Sequence, residues 1–214
     1  MTPTPDSPPA TRRRQERSAL TRSSLLEAAL DEFAAHGYDA ASTRAIAAAA
    51  NTQQPQINYH FSSKEALWRA AVDLLFERLD DSMRQTVAAA EPPTTPRESF
   101  ALGVRALVLA VASLPQLNRV MVHETTAPSD RLRWIVERHV QARFTVLTGD
   151  WEELRAAGEV RNIDPAVVYY SLIGAASLAY VNAPEALLLG HDTTSEAFVA
   201  AHADAMVAMF LDGA

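Results

Sequence analysis

Between Gln53 and Lys64 the chain reads Gln-Gln-Pro-Gln-Ile-Asn-Tyr-His-Phe-Ser-Ser-Lys. Four of its polar positions are amides, Gln53, Gln54, Gln56 and Asn58, and none is a carboxylate. A glutamine or asparagine side chain donates and accepts at once, which matches the N6/N7 edge of adenine in the major groove of DNA. Gln54 and Gln56 flank Pro55, at a helix start, where recognition helices present side chains to base edges. Lys64 stands just beyond, placed for a phosphate, and the hydroxyls of Ser42 and Thr43 suit the same partner. Taken alone, Gln-Gln-Pro-Gln fits a polar, solvent-facing helix better than a DNA-reading one.

Such side chains need two short helices and a tight turn to position them. Ile46, Ala47 and Ala50 give the stretch from Thr43 to Ala50 an apolar stripe at helical spacing. Ser42 or Thr43 can cap it by accepting an orphan N–H of the first turn. Asn51 follows, a residue that tolerates the left-handed backbone of a sharp helix exit. Pro55 opens the second helix from its first turn, where a missing N–H costs nothing. Ile57, His60 and Phe61 share one side of it, leaving Gln54, Gln56, Asn58 and Tyr59 over the rest. The pattern predicts a helix-turn-helix.

From about Arg22 to Trp68 the chain closely resembles the TetR family of transcriptional regulators. Leu25 to Ser42 resembles that family's first helix and its exit, Ser42 to Asn51 its second helix. Gln54 to Trp68 resembles the recognition helix and the start of the fourth. The most specific piece is Tyr59-His60-Phe61 followed by Lys64-Glu65-Ala66-Leu67. The resemblance implies DNA-facing roles for Thr43, Arg44, Gln54, Pro55, Gln56, Asn58, Tyr59, His60 and Lys64, with Arg44 within reach of a base. Ser42 and Gln53 complete the expected DNA-binding set. Three positions depart from the family pattern: Asn51 replaces the usual turn glycine, Gln53 a common serine cap, and Asn58 a frequent tyrosine.

Charge is distributed in keeping with this. The net charge of −7 is unusual for a DNA binder. Residues 1–70 nevertheless carry eight Lys/Arg against seven Asp/Glu, while residues 71–214 carry eleven against nineteen. The acidic excess therefore belongs to the C-terminal part, which need not touch DNA. A nonspecific, charge-driven DNA coat would be far more basic. With no cysteine, disulfides and thiolate metal sites are excluded. No apolar run reaches the length of a membrane span, and prolines stand where a signal peptide needs an apolar segment. A cytoplasmic protein is expected.

Residues 1–17 read as a disordered, basic tail, Pro/Ser/Thr-rich at first and then carrying Arg12, Arg13, Arg14 and Arg17, an arginine run that is either solvated or a phosphate-contacting arm. The domain of residues 18–66 should hold three helices, the first from about Ser18 to His36 with Leu20 and Leu25 on its periodic face and Gly37 at its end. Its expected core is Leu26, Ala29, Leu30, Phe33, Ile46, Ile57 and Phe61. Ser63 should cap a fourth helix running to about Ala89, a lever into the domain of residues 67–214. Helices are expected from Arg97 to Ser113, from Pro115 to Glu124, from Pro128 to Gly158, from Pro165 to Asn182, and from Ser195 to Leu211, with a short turn at Pro184 to Leu189. The fold class is all-α: a three-helix head plus a larger helical ligand-binding and dimerisation domain, about nine helices in all.

The two last long helices are too apolar to be one-sided surface helices of a monomer. Gly174, Ala175, Ala176 and Ala179, with Phe198, His202, Ala205 and Met209, are expected to pair across a two-fold axis into a four-helix bundle. Family resemblance implies the same dimer and a small-molecule pocket. That pocket would draw on Leu102, Arg105, Leu109, Met121, His123, Trp134, Phe144, Leu147, Trp151, Tyr169 and Ile173, many apolar walls with few polar groups. Each of these taken singly also fits an ordinary core position. Arg105 stands out as a charge in an apolar helix, with Glu124 or an anionic ligand as its partner. His123 and Glu124 lack any metalloprotease spacing, and no phosphate loop or nucleophile elbow occurs, so no catalytic residue, metal or cofactor is assigned. The expected function is a homodimeric regulator, a repressor released from palindromic operator DNA by an unknown small-molecule effector. The alternative is a ligand-binding or interaction protein that has lost sequence-specific DNA binding.

Overall fold

A computed structural model of the chain describes the backbone from Ala10 to Asp212. The chain divides into two compact units, Met1–Leu74 and Leu75–Ala214. Among the described residues every regular element is a helix.

In the first unit, α1 spans Ala10–Ala40. It begins well before Ser18, so residues 10–17 are helical rather than the tail expected of them, whereas residues 1–9 lie outside the described residues. The run from Thr11 to Arg22 contains no Gly or Pro and is rich in Arg, Gln and Glu, all good helix formers. Gly37 breaks the helix with φ 70° and ψ 174°, a backbone only glycine adopts without cost, and a last helical turn follows. Leu20 does not join the buried face; it is 68 % exposed, and the face is set by Leu25, Leu26, Ala29, Leu30 and Phe33.

Next come α2 (Thr43–Ala49) and α3 (Pro55–Phe61). Ser42 caps α2, its Oγ accepting from Ala45 N–H at 3.3 Å, while its own N–H donates to Glu32 Oε1 at 2.8 Å. Asn51 takes φ 51°, the left-handed exit that its side-chain chemistry tolerates. The whole expected head core is buried, and Leu67 and Trp68 complete it. Burying a side chain of this size stabilises by about 1.5–3 kcal/mol, and truncating Phe33 to alanine would cost about 3–5 kcal/mol. Ser63 caps α4 (Lys64–Ala89) by accepting from Ala66 N–H at 3.0 Å.

The second unit opens with the C-terminal half of α4. Thr95 Oγ1 accepts from Glu98 N–H at 3.2 Å and starts α5 (Pro96–Ser113). The Glu98 carboxylate reaches back to Thr94 N–H at 2.7 Å, and that bond holds its carboxyl below the usual carboxylate range. After α6 (Pro115–Thr125), Ser129 rather than Pro128 caps α7 (Asp130–Ile135). The expected single helix to Gly158 is interrupted by a π turn at Val136–Val140 and resumes as α8 (Gln141–Ala156). A π turn leaves the α-helical bonding out of step, and Arg143 Nη1 donates to the His139 carbonyl there. Asp164 caps α9 (Pro165–Val181), α10 is Ala183–Leu188, and Ser195 caps α11 (Glu196–Val207), which ends in a second π turn to Asp212.

Candidate nucleic-acid interface and the second unit

On α3 the buried side chains are Ile57 and Phe61, and His60 is half-buried. Gln54, Pro55, Gln56, Asn58 and Tyr59 are exposed, as are Gln53 beside them and Ser42 and Arg44 on the α2 side. The apolar pair docks the helix and leaves its amide face to solvent. Gln54 Nε2 donates to Thr43 Oγ1 at 3.1 Å, which ties the start of α3 to the start of α2. Gln54 is itself the residue before Pro55, with helical φ and ψ, and makes no capping bond. The turn is therefore held by the amide–hydroxyl bond and by backbone bonds, Thr52 N–H to Ala47 O at 2.9 Å among them.

Lys64 is less free than a bare phosphate ligand. Its Nζ donates to the Asp39 carbonyl at 3.3 Å and lies 4.8 Å from the Tyr38 ring centroid. The ammonium is thus oriented in advance by a carbonyl dipole and an aromatic face. Tyr59 stands edge-on to His60 at 4.9 Å. Burial, with the nearby Arg22 guanidinium adding to it, pushes the His60 imidazole below its ordinary pKa, so it is neutral near pH 7. Ser62 takes φ 52°, a left-handed backbone that turns the chain from α3 into α4.

In the second unit the expected ligand residues scatter. Arg105 pairs with Asp204 on α11, not with Glu124, whose carboxylate is buried and bound by Arg131 Nε at 3.0 and 3.2 Å. His123 is exposed on α6. Trp151 is a filled core position: its indole N–H donates to the Ile163 carbonyl at 3.0 Å and its ring packs 5.6 Å from Phe100. Phe144 and Tyr169 do come together, edge to face at 4.9 Å. Burial pushes the Tyr169 hydroxyl up. Leu102, Leu109, Met121, Trp134, Leu147 and Ile173 are half-buried.

A cluster absent from the sequence reading joins α4, the π turn and α8. His139 stacks flat on Phe76 at 4.3 Å with its edge toward Trp134 at 5.4 Å, and Arg143 binds Asp80 at 2.5 Å while lying 5.0 Å from the Phe76 ring. The π turn is what aims His139 inward, and nothing in the spacing of residues 128–158 announces it.

The expected dimer residues also divide. On α9, Gly174 and Ala175 are exposed and Ala179 half-buried, but Ala176 is fully buried within its own subunit. It cannot be a first point of contact with a second copy, as its Cβ faces the subunit's own core. On α11, Phe198, His202 and Ala205 are half-buried, and in the π turn that follows Met209 is 67 % exposed.

With the head's geometry in view, residues 25–71 match the family model described as bacterial regulatory proteins, tetR family. The head belongs to the tetR family. The match covers the buried apolar positions of α1 from Leu25 to Ala34, the whole helix-turn-helix and the start of α4. No curated protein matches the chain. Among solved structures it is similar to AibR in complex with isovaleryl coenzyme A and operator DNA, with a TM-score of 0.66, 20 % identity, and 89 % of this chain and 98 % of that one covered. It is similar to the transcriptional regulator FadR from Bacillus subtilis in complex with stearoyl-CoA, at TM-score 0.61 and 18 % identity, covering 86 % and 97 %. It is also similar to the superantigen PfiT, at TM-score 0.65 and 22 % identity, covering 91 % and 97 %. At these identities the likeness concerns the fold, and the same fold carries different roles.

Proposed function

We propose that the protein is a homodimeric DNA-binding transcriptional regulator of the tetR type, a repressor released from a palindromic operator by a small-molecule effector. One observation carries the reading: a tetR-family head in which Ile57 and Phe61 are buried while Gln54, Gln56, Asn58 and Tyr59 face solvent. Two such α3 helices, one duplex turn (~34 Å) apart in a dimer, read a palindrome. The exposed stripe of Val167, Tyr170, Gly174 and Leu178 recurs every three or four residues along α9, with Ala175 exposed beside it, and it supports α9 and α11 as the pairing face.

The effector reading is chemical. Acyl-CoA thioesters, the molecules bound by two proteins of similar fold, combine an apolar chain with an anionic head, and the second unit is the place for one. An effector shifts DNA affinity only by its differential affinity for the two states. Among the described residues no single helix is long and apolar enough to cross a membrane. A cytoplasmic regulator that is not an enzyme fits all of this. The likeness to PfiT keeps the interaction-protein alternative in play.

The deciding experiment is binding of the purified protein to the intergenic DNA beside its own coding region, at two salt concentrations with competitor DNA. Tight, competitor-resistant binding establishes the regulator, and release by isovaleryl- or stearoyl-CoA assigns the effector class. Weak, salt-sensitive binding to every fragment, including a duplex library of random sequence, removes the DNA reading in favour of the interaction protein.

A further inference from the structure

A groove of about 330 Å³ runs along the head between α1 and α3, lined by Arg17, Ser18, Thr21, Gln56, Tyr59 and His60. Its lining is rich in donors: a guanidinium, two hydroxyls from serine and tyrosine, an amide and an imidazole. Thr21 is the exception, since its hydroxyl already donates to the Arg17 carbonyl at 3.0 Å. No carboxylate lines the groove, although the head as a whole carries nearly as many acids as bases. Such a surface favours an anion with several acceptor oxygens.

The position of the groove says which anion. Two of its walls, Gln56 and Tyr59, belong to the solvent-facing side of the recognition helix itself. An occupant must therefore lie directly beside the bases that Gln54 and Gln56 address. In a duplex that neighbour is the sugar-phosphate backbone, whose contacts set register while the base edges set sequence. The opposite wall comes from the early turns of α1, which are helical from Ala10 instead of being a loose tail.

We infer that α1 and α3 together form a seat for one backbone phosphate of each operator half-site, with Arg17 and Ser18 as positioning residues that fix the register of α3 in the groove. The inference rests on the regulator reading and adds α1 to the DNA-contacting surface. Gln56 then has two roles, one edge toward the bases and one wall of the seat.

The test uses the full-length protein and a duplex recovered by selection from a random library, with neutral methylphosphonates introduced one position at a time. Arg17→Ala is expected to weaken binding about tenfold and to lower the salt slope by about 0.9, the signature of one lost phosphate contact. Arg17→Lys should keep the slope. One methylphosphonate position per half-site should penalise the wild type but leave Arg17→Ala unaffected, the coupling a merely structural arginine would not show. If Arg17→Ala keeps the wild-type slope and every methylphosphonate penalises both proteins alike, the seat does not exist. Should Gln54→Ala still relax base preference in that case, the regulator reading stands without it. A selection that enriches no duplex at all overturns both.

Discussion

Gln54 and Thr43 are bonded to one another, amide to hydroxyl at 3.1 Å, across the turn of the helix-turn-helix. The bond fixes the side chain that starts the recognition helix and leaves the amide oxygen as its open acceptor. Each of the two residues thus supports the other's approach to DNA. Gln54→Ala should cost about 1–3 kcal/mol on operator DNA and relax preference at one base position. Thr43→Val, which keeps the shape and removes the acceptor, should loosen Gln54 and show part of the same loss. Competition binding against single-base operator variants checks both, and unchanged selectivity in Gln54→Ala would refute the assignment.

Lys64 is expected to act on every sequence equally. Its ammonium is pre-aimed by the Asp39 carbonyl and the Tyr38 ring, so little entropy is lost when a phosphate arrives. Lys64→Ala should lower the slope of log affinity against log salt by about one, with base preference intact. Tyr38→Leu, which removes the aromatic face and keeps the charge, should weaken binding without changing that slope. Anisotropy titrations over a salt series measure both.

Much of the fold is legible because helix ends are local chemistry. Ser42, Ser63, Thr95, Asp164 and Ser195 each accept a bond from an N–H within three residues, so a short window of sequence contains both partners. Asn51 declares its left-handed backbone in the same way. What escapes are features made by distant partners. Asp204 is 99 residues from Arg105, and Glu124, the nearer candidate, is taken by Arg131. The π turn exists where His139 meets Phe76 on another helix. On α9 nearly every residue is apolar, so periodicity cannot tell the face turned inward from the face turned out. Ala175 and Ala176 are therefore indistinguishable in the sequence, although only one of them reaches the surface. The exposed amides of α3 are legible for the opposite reason, since on a short helix they have no packing role to confuse them with.

The difference between Ala175 and Ala176 makes the dimer testable. Ala176→Glu would bury a charge in the subunit core and should unfold the protein rather than separate two folded copies. Ala175→Glu places the charge beside the exposed stripe and should give a folded monomer, with helical circular dichroism intact and half the sedimenting mass. A folded Ala175→Glu dimer would move the pairing face off this part of α9. Loss of operator binding should accompany the monomer, as a single half-site contact gives up the second recognition helix.

Tyr180 and His202 join α9 to α11 through a 2.9 Å bond between the phenol and Nδ1. Burial pushes the Tyr180 hydroxyl up to about 12, so the phenol keeps its proton. A neutral imidazole whose Nε2–H is given to the Ala175 backbone offers Nδ1 as the acceptor for that proton. Burial also lowers the His202 pKa, outweighing the opposing effect of its bond to the Ala175 backbone. The folded protein therefore binds this proton less readily than the unfolded chain. The stability that follows is present above the ordinary imidazole pKa of about 6.5 and is lost as pH falls below it. Melting temperature should accordingly drop between about pH 7 and pH 5 in the wild type. His202→Asn, which cannot be protonated there, should start lower and lose less over the same interval, while carboxylates common to both proteins cancel in the comparison. Parallel pH profiles for the two proteins would show that His202 does not titrate in the folded state as its burial requires.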